Sequence, residues 1–155
     1  MSESRTDTSL GKFKEWFRGA QCWEIQRLSS AVWWFRFGDA AAVNLACPWR
    51  ILKGGKIALA RDDDGQKFGL SKPIDTEAEA LRLIGGNPAT SVEIEDRTAD
   101  LRIKFADGVE LEAFNHSSGY EAWNAWVYKN STTIDVIALG GGDIAVWQLP
   151  GKPYK

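Results

Sequence analysis

The sequence predicts an α+β fold in which two related antiparallel β units are joined by a helix and an N-terminal helix packs on the sheet. Three observations lead there. A hairpin pattern occurs twice: W-W-F-R-F-G-D-A-A-A-V-N-L at 33–45 returns 68 residues later as L-R-I-K-F-A-D-G-V-E-L-E-A at 101–113. Phe37 falls on Phe105, Asp39 on Asp107, Arg36 on Lys104 and Val43 on Leu111. Between the copies, Thr76-x-x-Glu79 forms a capping box ahead of Ala80, Leu81, Leu83 and Ile84. Before the first copy, Leu10, Phe13, Trp16 and Phe17 recur at helical spacing.

Taken in order, residues 1–8 are polar and read as a disordered tail. A helix follows over 9–18, with Gly19 placed to stop it. The first unit, 22–70, is expected to hold strands at 22–28, 32–37, 41–47 and 57–61. A turn at Asp62-Asp63-Asp64-Gly65 then leads to a returning strand at 66–70. The linking helix covers 75–84 and ends at Gly85-Gly86-Asn87-Pro88. The second unit, 91–149, is expected to hold strands at 91–95, 101–105, 109–114, 123–128, 133–139 and 144–149. Residues 9–150 form one domain, and 151–155 a second tail.

The register of the second hairpin follows from its charges. A two-residue Asp107-Gly108 loop would set Phe105 against Glu110 and Lys104 against Leu111, leaving neither face apolar. A three-residue loop, Ala106-Asp107-Gly108 with Gly108 left-handed, sets Ile103 against Leu111 and Leu101 against Ala113 inside. Outside it pairs Lys104 with Glu110 and Arg102 with Glu112. Carried to the first copy, this register turns Trp33, Phe35, Phe37, Ala41, Val43 and Leu45 inward. Val32, Trp34, Arg36, Ala42 and Asn44 face outward. Where the second copy shows charges, the first shows a tryptophan, an alanine, an asparagine and one arginine. Such a face calls for a cover. The N-terminal helix, which needs tertiary packing to persist, is the expected one; a docking protein is the alternative.

The 155 residues suffice to bury a core. No apolar run approaches the ~18–20 residues of a membrane span, and the polar N-terminus is unlike a secretion signal, so a cytoplasmic location is expected. A net charge of −2 argues against nucleic-acid binding. Cys22 and Cys47 form no C-x-x-C pair and are expected as buried thiols; with a single histidine, no metal site is expected. No cofactor is expected either: Gly140-Gly141-Gly142-Asp143 lacks the Lys-Ser/Thr of a phosphate loop and reads as a hairpin turn. His116 lies in a loop beside Ser117, where neighbouring residues rarely achieve the geometry of a Ser–His pair with its orienting third group. The chain is therefore read as non-enzymatic.

Two sets of candidate binding residues remain. Acidic residues concentrate between 62 and 96. Of these, Asp62, Asp63, Asp64, Glu77 and Glu93 join Trp34 and Arg36 as a candidate surface for a basic protein partner. The alternative draws on the eight tryptophans and groups Trp49, Tyr120, Trp123 and Trp126 as an aromatic pocket for a small molecule.

The hairpin at 101–113, Tyr120-Glu121-Ala122-Trp123 and G-G-G-D-I-A-V-W at 140–147 together resemble a family of small bacterial immunity-like proteins of undefined biochemical activity. In the first half, Pro48-Trp49 stands where the Tyr-Glu-x-Trp element would fall. The resemblance implies a small cytosolic protein that neutralises a toxin by docking on it, and it assigns no residue a role.

Overall fold

Each half of the chain folds as a helix, a three-stranded meander and a hairpin, and the two halves exchange their hairpins. The computed structural model describes residues 2–153, with side chains from Asp7 onward. The first half comprises α1 (Ser2–Phe17), the meander β1 (Glu24–Arg27), β2 (Trp33–Arg36) and β3 (Ala41–Leu45), and the hairpin β4 (Trp49–Lys53) and β5 (Lys56–Ala60). The second comprises α2 (Thr76–Ile84), the meander β6 (Ala89–Ile94), β7 (Leu101–Phe105) and β8 (Val109–Ala113), and the hairpin β9 (Trp123–Lys129) and β10 (Thr132–Ala138). It adds a final strand, β11 (Ile144–Pro150).

Two antiparallel sheets result, ordered β1-β2-β3-β9-β10-β11 and β5-β4-β8-β7-β6. The junctions are equivalent: β3 pairs with β9 in one sheet as β8 pairs with β4 in the other. Leu45 lies opposite Trp123, and Ala113 opposite Trp49. Trp49 is thus the counterpart of Trp123, reached by a shorter connection. The helices obey the same relation, α1 packing on β6 and β10 and α2 on β1 and β5. The helix expected merely to link two β units is the second copy of α1.

The β7–β8 register is the expected one, with Arg102 opposite Glu112, Ile103 opposite Leu111 and Lys104 opposite Glu110. Gly108 takes φ +81°, the left-handed value its turn requires. β2 and β3 pair likewise, Trp34 opposite Asn44 and Phe35 opposite Val43. The inward residues of both hairpins are buried.

Several local expectations are corrected. β4 was not expected. Its hairpin closes through Gly54 and Gly55 at φ +59° and +81°, the mirror-image two-residue turn that matches strand twist. Residues 66–70 form turns rather than a strand, and the acidic run begins as a short 3-10 turn over Arg61–Asp63. The N-cap of α2 is Asp75, whose carboxylate accepts the Ala78 N–H at 3.2 Å, not Thr76. Helix α1 starts at Ser2, so residues 2–8 are helical rather than a tail. Lys104 pairs with Glu93 at 3.0 Å instead of Glu110.

The largest correction concerns where α1 packs. Phe13 and Phe17 are fully buried, and Phe17 meets Phe37 with ring centroids 4.9 Å apart. The helix therefore lies on the inner side, over β9, β10 and β11, and leaves the outward face of the first hairpin uncovered. Burying each phenylalanine is worth about 1.5–3 kcal/mol, and only the inner side offers a fully apolar seat. In the core between the sheets, Trp49 makes edge contacts at 5.2 Å with both Trp33 and Phe35.

Candidate functional site

Because the halves are equivalent, the outward faces of the two sheets can be compared position by position. On the five-stranded sheet Glu112 is the central residue. Its carboxylate accepts from Arg50 Nε at 2.8 Å and from Arg102 Nε at 3.0 Å. Burial pushes the Glu112 carboxyl up, but the hydrogen bonds from the two arginines outweigh it and hold the group below its usual value. The face is neutralised by its own charges, as a solvated wall.

On the six-stranded sheet the counterparts of Arg102, Glu112 and Arg50 are Trp34, Asn44 and Asn124. Asn44 Nδ2 donates to Asn124 Oδ1 at 3.2 Å, and Asn124 Nδ2 donates to Asp135 Oδ1 at 3.3 Å. This amide chain runs across β3, β9 and β10. Burial raises the Asp135 carboxyl above its usual value, Glu121 adds to the rise, and the Asn124 hydrogen bond opposes it. Where one sheet has an ion-pair cluster, the other has planar amides beside a tryptophan.

This face is concave. It forms a groove of about 850 Å³, within the ~300–1,000 Å³ range of small-ligand sites. Asn44 and Asn124 lie along it with Leu28, Val32 and Trp34, and Trp126 of β9 reaches it while only 6% exposed. Arg36 borders the groove with its guanidinium over the rings of Trp23 at 5.1 Å and Trp34 at 5.4 Å. Glu24 at 3.7 Å and Asp39 at 3.4 Å balance its charge.

The C-terminal segment completes the groove. Gly151 N–H donates to the Ser131 carbonyl at 2.7 Å, and Thr133 Oγ1 donates to the Gly151 carbonyl at 2.5 Å. The chain is thereby turned back over the outer face, with Lys152 Nζ above the Tyr128 ring at 5.6 Å. Lys152 and Pro153 line the groove, so the start of the expected tail is an anchored wall. Tyr154 and Lys155 lie outside the described residues.

Of the residues singled out in the sequence, the structure brings Trp34, Arg36, Trp123 and Trp126 to this groove. Trp123 adjoins it only through its place on β9: its side chain is 2% exposed in the core, with the indole N–H donated to the Ala99 carbonyl at 2.8 Å. Trp49 is only 2% exposed, in the core, and Tyr120 is 83% exposed on a loop outside the groove. The acidic candidates are divided. Asp62 lies beside Arg61, and Asp63 accepts the Ala60 N–H at 2.9 Å. Asp64 accepts the Thr76 N–H at 3.1 Å, and Glu77 the Arg27 N–H at 2.8 Å. Glu93 pairs with Lys104 on the other sheet. Asn44 was visible as an outward residue. Gln26, Asn124, Asp135 and Lys152 were missed, although the strand alternation of Trp123–Tyr128 already set Asn124 and Trp126 on one face.

His116 is exposed, and the Ser117 hydroxyl oxygen accepts turn N–H groups from Gly119 and Tyr120. Cys22 and Cys47 are buried free thiols, each pushed up to about 12 by burial. Among the described residues no cluster of three or more His, Cys, Asp or Glu side chains is placed to hold a metal ion, and no helix is long and apolar enough to cross a membrane. No protein-family model, curated protein or solved structure matches the chain.

Proposed function

We propose that this chain is a non-enzymatic binding protein that recognises a compact ligand in the groove of the six-stranded sheet. One observation carries the reading. Positions held on the other sheet by an ion-paired Arg–Glu–Arg cluster are occupied here by Trp34, Asn44 and Asn124 at a concave surface. Apolar walls with a few fixed polar groups are what a small-molecule site requires. The test is a thermal-shift screen of a metabolite library, with hits measured by calorimetry on Trp34→Ala and Asn124→Ala. The reading expects at least about a tenfold loss of affinity in each. Hits that bind both variants as tightly as the parent would remove the groove from consideration.

Docking on a protein, including the toxin-neutralising role of an immunity protein, is the second reading. It is favoured by the stacked Trp23, Arg36 and Trp34, since tryptophan and arginine dominate binding hot spots and Trp23 is 52% exposed. Co-expression with the protein encoded beside it in the genome, followed by pull-down, tests this. A complex that Trp23→Ala and Arg36→Ala both abolish supports docking at the rim; no complex, or one indifferent to both, rejects it.

A further inference from the structure

The four sheet edges are not alike. At β1 the Arg27 N–H donates to Glu77 Oε2 at 2.8 Å, and α2 packs alongside. At β6, Ala89 exchanges backbone hydrogen bonds with Gly19 and Ala20, and α1 packs alongside. β5 pairs through a bulge at Ile51/Leu52 and carries Lys56. Helices, bulges and lysines are common means of blunting an edge against further pairing. β11 has neither a bulge nor a lysine; α1 lies against its inner face, with Ser9 Oγ donating to Gln148 Oε1 at 3.2 Å, and its one proline, Pro150, stands at its end. Its residues, Ile144 to Pro150, carry no charge, its register with β10 is unbroken, and the first half has no equivalent strand. The tail turns off this edge at Gly151 and runs over the sheet face instead.

Hydrogen bonds at the two ends of β11 identify its free groups. The Leu139 N–H donates to the Asp143 carbonyl at 2.8 Å, and the Gly151 N–H to the Ser131 carbonyl at 2.7 Å. The unbroken register then makes Ala145, Trp147 and Leu149 the residues bonded to β10. Alternation turns the N–H and C=O of Ile144, Val146 and Gln148 away from β10, toward the open edge. Beside them on the outer face, Trp147 and Leu149 are exposed.

We propose that β11 pairs antiparallel with β11 of a second copy, about a two-fold axis at Val146, so that two six-stranded sheets become one. In this register Ile144 lies opposite Gln148 of the partner subunit and Val146 opposite Val146 of the partner subunit. Every outward N–H and C=O of the three residues then has a mate. Trp147 falls opposite Ala145 of the partner subunit, a large side chain beside a small one. Pro150, which has no N–H, lies beyond the three pairs. A second copy is the favoured occupant because two-fold pairing sets a strand against itself, where any charge would meet its like. This strand has none.

Sedimentation velocity of the full chain from about 1 to about 200 μM tests the pairing, a span wide enough to resolve a micromolar dimer. The expected species has twice the 17.2 kDa chain mass. Gln148→Pro removes an outward donor while sparing the β10 ladder, and Trp147→Lys places like charges close to the axis. Each is expected to weaken the dimer at least about tenfold, with circular dichroism and thermal melting showing which variants remain folded. Ile57→Lys, on β5, is expected to leave the dimer intact. A parent that stays monomeric throughout overturns the proposal, as does a dimer that survives in a folded β11 variant.

Discussion

Phe37 and Phe105 stack on each other, with ring centroids 6.3 Å apart and planes inclined by 8°. They occupy the same position in the two hairpin copies, so the contact joins a residue to its own counterpart across the internal two-fold relation. The strand-entry segments meet in a similar way, Gln21 bridging to Pro88. The repeat seen in the sequence is therefore a packing device, in which each copy closes the core of the other.

Phe37→Ala and Phe105→Ala are each expected to cost about 3–5 kcal/mol, as for buried aromatic truncations. Urea denaturation of both single variants and the double variant should show a coupling of about 0.5–1.5 kcal/mol. Simple additivity would mean that the ring contact contributes nothing of its own.

Glu112 makes stability depend on acid. Its folded-state pKa lies below the usual value of 4.5, so its contribution is present above that value and lost as pH falls through the depressed one. Glu112→Gln is expected to cost about 1–2 kcal/mol at neutral pH. The figure is modest because Arg50 and Arg102 are partly exposed and recover solvation. The gap between parent and variant should close in acid, which denaturation curves across the carboxylate range will show.

Asp135 behaves in the opposite sense. Its pKa is raised from 3.8, so its stabilising contribution is present below that value and lost as pH rises through the raised one. At neutral pH the ionised, half-buried carboxylate is a cost. Asp135→Asn keeps an acceptor for Asn124 and is expected to melt higher than the parent at pH 7. That advantage should fade as pH falls through the raised value toward the ordinary 3.8 of an aspartate, where the parent carboxyl takes up its proton. A variant that melts lower at pH 7 would show that the charge supports the fold.

Gly142 is buried at φ +107°, and a Cβ there would run into the Arg97 carbonyl oxygen. Gly142→Ala is expected to cost about 2–4 kcal/mol through backbone strain and overpacking. Gly119→Ala, where a Cβ meets open space, should change stability by no more than about 0.5 kcal/mol. Equal melting temperatures for the two variants would count against the glycine turn as a fixed part of the fold.

The locally encoded features were legible. Alternation and charge set the β7–β8 register, and transfer through the repeat placed Trp34, Arg36 and Asn44 on one outward face. The capping sequence before α2 located that helix to within a residue, although Asp75 rather than Thr76 takes the cap. β4 was missed, although Gly54-Gly55 between two apolar runs was the hairpin signal that marked it. Helix α1 was assigned to the wrong side because its apolar stripe shows that it must bury a face but not which one.

By itself the sequence determined the α+β class, the two hairpins, their inward and outward faces and the second helix. These depend on the period of side chains along a strand or helix and on turn chemistry, which neighbouring residues specify. Only the tertiary structure decided that the halves exchange hairpins, that α1 lies inside, and that Trp49 is core while Trp126 faces the groove. It alone joined Asn44 to Asn124 and Asp135, and brought Lys152 back over the sheet. Pairing between distant strands is chosen by the apolar area that the whole chain can bury together, and no local period records that choice.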